Sequence, residues 1–273
     1  MTSSQSPAAA KKYLLITSDD FGMCHAINVG IVRGMTEGVV TSTNLMAPCP
    51  WFPEAARLAK QHKLKAGVHL CMTCDWDNMR WGPITKAKSL CDENGYFFNS
   101  IPEVGRRADP RELVDELNAQ VARVKAFGID PTHIDIHMLS GDDSREGCDK
   151  LRAGVLEVAR QHGLIYTREC NADGSLKYLT DQTGSSGASE RDIWQRLQAW
   201  TAPGYYNIVA HVAVSHPELE DLSSENHGAR NWASPYRVGD FAFVMKAATR
   251  GRIAELGFEL IDVPTFLAQK KLA

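Results

Sequence analysis

Two neighbouring carboxylates, Asp19 and Asp20, stand where the run that opens with Leu14, Leu15 and Ile16 breaks off. Histidines stand at the ends of three later apolar runs: His69 in "KAGVHL", His133 and His137 around Asp135 in "THIDIH", and His211 in "YNIVAH". Adjacent acids repel, the more so when partly desolvated, so they persist most readily beside a cation, around a shared proton, or in a solvated turn. A single histidine at a strand end is more often a hydrogen-bonded structural residue than a ligand. Four strand ends that converge on Asp and His point to a site. One carboxylate with two imidazoles leaves positions open on an ion such as zinc, which suits the activation of water, whereas a closed structural site would use four protein ligands. Strand alternation puts His133, Asp135 and His137 on one face, with Ile134 and Ile136 on the other. His137 lies nearest the end of the strand, and Asp135 or His133 would then orient the ligands from behind.

The elements that must position these residues alternate in type. Short apolar runs near 13–18, 39–45, 65–70, 132–137, 163–167, 206–212 and 258–262 read as strands, and the stretches 53–62, 109–127, 146–162, 189–200 and 239–256 read as helices. Asp109 before Pro110 predicts an N-cap, and Gly128 and Gly163 stand where C-terminal glycines belong. No Gly-x-Gly-x-x-Gly turn follows the first strand. The fold class expected is therefore α/β, a single-domain irregular seven- or eight-stranded (β/α) barrel, with an open doubly wound sheet as the alternative. Long polar segments at 71–109, 168–188 and 213–238 all follow strands and build up the C-terminal face, where barrel active sites lie.

A length of 273 residues suits one large domain, and a net charge of −3 gives no reason to expect a nucleic-acid partner. No apolar stretch is long enough for a membrane span, and residues 1–12 read as a flexible tail without the apolar segment of a signal peptide. Seven scattered cysteines, an odd number, argue against a disulfide framework and for a reducing, cytoplasmic location. Cys71 and Cys74 form a C-x-x-C, but no second pair completes a zinc ribbon.

Three motifs in order, "SDDFG" (18–22) followed by "INVGI" (27–31), "GVHLCMT" (67–73) and "PTHIDIH" (131–137), make the chain similar to the YdjC/ChbG-like carbohydrate deacetylases. The resemblance is strong over 13–140 and collinear to about 265. It implies that residues 13–273 form a metal-dependent barrel domain that removes the N-acetyl group from an amino sugar or chito-oligosaccharide. The cofactor implied is one divalent metal ion, Zn2+ or Mg2+. Carried over by position, the metal ligands are Asp20, His69 and His137, and the catalytic base is Asp19. The partner implied is a small N-acetylated saccharide, with a homodimer as a family expectation. The chain departs from the family at "MLSG" (138–141), where further histidines are usual, and at "HVAVSHP", which offers both His211 and His216.

In amide hydrolysis a histidine would protonate the departing amine. His211, on a rigid strand, is preferred over His216 in the following loop, and an ordinary pKa near 6.5 is expected for it. Arg168 is expected to orient Asp19 or hold substrate, and Trp76 and Trp81 to offer flat faces to a sugar ring. Two other classes compete: a metal-independent glycoside hydrolase using Asp19 with Asp135, and a non-catalytic sugar-binding protein.

Overall fold

The computed structural model describes residues 11–139, 144–179, 190–224, 229–230 and 233–272. Its elements run β1 (Lys12–Phe21), α1 (His25–Thr36), β2 (Ser42–Leu45), α2 (Phe52–Gln61), β3 (Ala66–Leu70), a 3-10 turn (Lys88–Leu90), α3 (Ile101–Arg107), α4 (Pro110–Ala126) and β4 (Ile134–Ile136). The second half continues with α5 (Cys148–His162), α6 (Thr167–Ala172), β5 (Lys177–Leu179), α7 (Glu190–Ala199), β6 (Gly204–Ala210), α8 (Pro217–Glu220) and the short pair β7 (Ser223–Ser224) and β8 (Ala229–Arg230). It closes with α9 (Ala233–Met245), α10 (Ala247–Glu255), β9 (Phe258–Leu260) and α11 (Val263–Leu272).

Seven strands form one parallel sheet in the order β4-β3-β2-β1-β6-β5, with β9 added to β1. This curled, barrel-like sheet bears out the expected fold class. The sheet runs from β1 round both sides, and a single bridge from Ile134 to Tyr166 extends it past β4. Among the described residues no ladder joins β4 to β5, so the hydrogen-bonded ring is interrupted there.

That interruption corrects the strand expected at 163–167. Gly163 ends α5 in the left-handed region (φ 64°), Ile165 and Tyr166 alone make backbone contact with β4, and Thr167 already begins α6. The extended stretch is too short for a ladder, and Arg168 enters the first turn of a helix. The helix expected at 239–256 is two helices, broken at Lys246, whose ψ of 126° leaves the helical region. Its first part begins six residues earlier, at Ala233. Asp109 caps α4 as its sequence predicts, accepting from the Arg111 and Glu112 N–H groups.

Of the tail read at 1–12, residues 1–10 lie outside the described residues, and Lys12 is already paired in β1. Ser140 and Gly141 of the "MLSG" departure also lie outside them. One apolar core, built from β1 to β4, β6 and the helices around them, surrounds the strand ends. A smaller cluster of Leu15, Cys170, Leu176, Ile261, Val263 and Phe266 closes the other side of β1. No helix among the described residues is long and apolar enough to cross a membrane.

Candidate active site at the strand ends

The end of β1 is irregular. Its register with β2 shifts between Ser18 and Phe21, and Asp20 takes a left-handed φ of 71°. Aspartate tolerates that region better than most residues, and a left-handed residue there swings successive side chains away from strand alternation. Both acids are buried, Asp19 2% and Asp20 1% exposed.

Asp20 sits between two imidazoles. Its Oδ1 lies 3.6 Å from His69 Nε2, at the end of β3, and 3.4 Å from His137 Nδ1, just past β4. That oxygen and His69 Nδ1 are both buried and make no hydrogen bond among the described residues. One donor atom from each of Asp20, His69 and His137 falls within 4.8 Å of the others. A buried, unsatisfied carboxylate oxygen facing two imidazoles is costly by itself and fits a cation. The other oxygen, Oδ2, accepts from Arg237 Nη2 at 2.6 Å. Burial works to raise the Asp20 carboxyl, but the Arg237 guanidinium and His137 outweigh it and hold the group well below the usual range. His137 is fixed from behind by Asp75, both of whose oxygens lie 3.0 Å from Nε2. A carboxylate behind a histidine sets the ring's orientation and raises its basicity.

Asp19 faces a different environment. Asn44 Nδ2 donates to its Oδ1 at 2.7 Å, and burial, with the nearby Asp135 carboxylate, pushes its pKa up to about 8 against the opposing Arg168 charge. Gly67 makes the Asn44 contact geometrically available: a Cβ there would fall 2.5 Å from Asn44 Oδ1 and 2.7 Å from the His133 ring. Asp135 is saturated. Arg168 Nε donates to Oδ1 at 3.1 Å, Thr167 Oγ1 to Oδ2 at 2.8 Å, and the Ile136 N–H to Oδ1. Burial works to raise Asp135, but Arg168 and His69 outweigh it, so the group is lowered. With both oxygens held by protein donors, Asp135 is not free to serve as the second carboxylate of a glycoside hydrolase.

The remaining expected residues divide. His133 is buried, with Nδ1 2.8 Å from Thr132 Oγ1, and packs against Gly67, away from the Asp20 group. His211 follows β6 directly, its N–H donating to Asp240 Oδ2 at 2.8 Å and its Nδ1 3.0 Å from the Tyr236 hydroxyl. Desolvation pushes the His211 ring down to about 4, so the ordinary imidazole expected from sequence is replaced by a neutral one. His216 is exposed and caps α8, its Nδ1 accepting from the Glu218 N–H. Trp76 and Trp81 are 1% and 3% exposed, so core packing takes the flat faces expected to meet a sugar. Trp81 donates to the Thr73 carbonyl and stands 6.3 Å from the His137 ring, a wall of the site and not a platform.

Asn44, Asp75, Tyr236, Arg237 and Asp240 were not singled out from sequence. Asp75, two residues past the second motif in "CMTCD", is the one whose position carried a signal, an acid close behind a candidate histidine. Tyr236 and Arg237 fall before the expected start of their helix.

The profile of the family described as YdjC-like protein matches residues 13–255. A carbohydrate deacetylase of Geobacillus stearothermophilus is 41% identical over 129 residues, 46% of this chain and 49% of its own length, so the chain spans about half of that relative. A chitooligosaccharide deacetylase of Yersinia pestis is 35% identical over 264 residues, covering 92% of this chain and 97% of the relative. Among solved structures, an Enterococcus faecalis protein described as a putative cellobiose-phosphate cleavage protein superposes with a TM-score of 0.74 at 26% identity, over 93% of this chain and 98% of that one.

Proposed function

Because the chain belongs to the YdjC-like family and aligns over nearly its full length with a chitooligosaccharide deacetylase, we propose that it hydrolyses the N-acetyl group of an amino sugar or chito-oligosaccharide with the help of one divalent metal ion. The observation that carries this reading is the buried, unpartnered Asp20 Oδ1 between His69 and His137, with a second carboxylate, Asp19, next to it. Asp20, His69 and His137 would hold the ion. When bound, a divalent cation polarises the acetyl oxygen and makes water acidic enough to attack near neutral pH. A donor set with two imidazoles favours zinc over magnesium, which takes oxygen ligands.

Asp19 takes the proton of the attacking water, with Asn44 fixing the carboxylate. Positive charge nearby lowers its pKa from the value set by burial, which brings the ionised base into the neutral range. Arg168 and Asp135 hold that side of the site rigid, and Arg168 acts through Asp135. His211, neutral at rest and 3.0 Å from the Tyr236 hydroxyl through Nδ1, takes up a proton from solvent as negative charge builds on the attacked amide, and the imidazolium passes that proton to the leaving amine and returns to the neutral ring. Seven cysteines without a disulfide support a reducing compartment such as the cytoplasm.

Acetate release from N-acetylglucosamine oligomers, measured with and without a chelator and with metal content determined in parallel, tests the reading. Release that stops on chelation and returns with Zn2+ is the expected outcome. Glycosidic cleavage that survives chelation would replace this reading with the hydrolase alternative.

A further inference from the structure

Arg237 has no step in the chemistry above, yet it is the group that fixes the Asp20 carboxylate. It comes from α9, is 4% exposed, and spends one donor on Asp20 Oδ2 at 2.6 Å while its Nε and Nη1 make no hydrogen bond among the described residues. A buried cation with unmatched donors is a poor device for stability alone, since each unmatched donor forfeits hydration. What it does is geometric. The β1–β2 register is broken at Asp20, and its backbone is left-handed, so the strand does not by itself fix where the carboxylate points. With Oδ2 tied to Arg237, the carboxylate presents Oδ1 alone to His69 and His137.

We propose that Arg237 is a positioning residue that holds Asp20 in a one-oxygen binding mode, and that α9 thereby sets the affinity of the site for its metal. The inference rests on Asp20 being a metal ligand. Two effects of the guanidinium oppose each other. Its charge repels a cation and draws electron density from the carboxylate, which by itself means that removing it tightens binding. Its hydrogen bond pre-orders the ligand, so removing it weakens binding, and loss of such a supporting contact typically costs about 10–100-fold in metal affinity. Desolvation and the loss of a defined oxygen outweigh a repulsion that the carboxylate itself screens.

Zn2+ affinity is measured by competition with a chromophoric chelator in the wild type, Arg237→Met, Arg237→Lys, Asp20→Asn and the Asp20→Asn/Arg237→Met double variant. Thermal unfolding in excess chelator reports whether each variant is folded. The expected result is binding weaker by about 10–100-fold in Arg237→Met, an intermediate loss in Arg237→Lys, and no further loss when Arg237→Met is added to Asp20→Asn. Unchanged or tighter Zn2+ binding in Arg237→Met overturns the proposal, as does an equal loss in the Asp20→Asn background. If the methionine variant does not fold, Arg237→Lys decides, because wild-type affinity there overturns the proposal and weaker binding supports it. Wild-type affinity in Asp20→Asn would instead remove Asp20 from the ligand set, a failure of the underlying reading that the Arg237 variants cannot mimic.

Discussion

Two carboxylate–arginine pairs are buried at the strand ends, Asp20 with Arg237 and Asp135 with Arg168, and they are finished differently. Asp135 has each oxygen taken up by protein donors: Arg168, Thr167 and a backbone N–H. Asp20 has one oxygen on Arg237 and the other on nothing, turned toward two imidazoles. Both acids are held ionised by a neighbouring guanidinium, so charge does not separate them. Vacant hydrogen-bonding capacity does. Under the proposed function, the pair with an unsatisfied oxygen is the one that meets the metal, and the pair with both oxygens satisfied supports it.

Exchanging the acids one at a time is the strongest way to break that contrast. Asp20→Asn is expected to lose bound metal and deacetylation together, while Asp135→Asn keeps its metal, as elemental analysis of the purified variants would show. Metal retained in the first and lost in the second would reverse the assignment. Asp19 lies between the two pairs, and Asp19→Asn is expected to keep the metal and lose about 10²–10⁴ in turnover, the range for removing a general base. Turnover within threefold of wild type would make Asp19 a structural acid.

A stability measurement sharpens the other half. Arg168→Met leaves the Asp135 charge buried and unpaired, and should destabilise the fold by roughly 3–5 kcal/mol in denaturant unfolding, without changing the metal content of the protein that remains folded. The smallest expected effect belongs to the imidazole beside Asp135. Burial pushes His133 down to about 4, against an unfolded value near 6.5, so the native state binds fewer protons than the unfolded state between those limits. Stability is therefore full above pH 6.5 and is lost as pH falls toward 4. His133→Gln should remove roughly 2–3 kcal/mol of that acid-side loss in chelator-treated protein, and an unchanged slope between pH 7 and 4.5 would show that His133 does not titrate in this way.

Much of this site was legible because β strands display their ends. Apolar runs closing on Asp19, Asp20, His69, His137 and His211 mark the strand ends in the sequence itself, whereas the acid behind His137 is Asp75 and not the Asp135 that alternation suggests. What was not legible depends on contacts across long sequence separations. Arg237 meets Asp20 from 217 residues away, and nothing local to "PYRVGD" marks it. Asn44 reads as a strand residue until Gly67 is seen to make room for it. The tryptophans failed for the opposite reason, since residue type suggested a sugar platform and packing buried the rings. The short strand β5 failed because a three-residue ladder with one buried leucine before it carries no periodicity to detect.

The pairing of β1 has a consequence for how the molecule is made. The strand that carries Asp19 and Asp20 leaves a ribosome well before two of its three partners, with Lys12 facing Gly204 of β6 and Phe258 of β9. At about 5–20 residues per second, β9 emerges roughly 10–50 s after β1. During that interval an apolar strand waits with one side unpaired, in a topology whose non-local contacts make closure slow. A chain stopped before β6 has both acids and both imidazoles of the site but not the strand that holds β1, nor α9 with Arg237. The strand that carries both acids is thus secured only after β6 and β9 have been made.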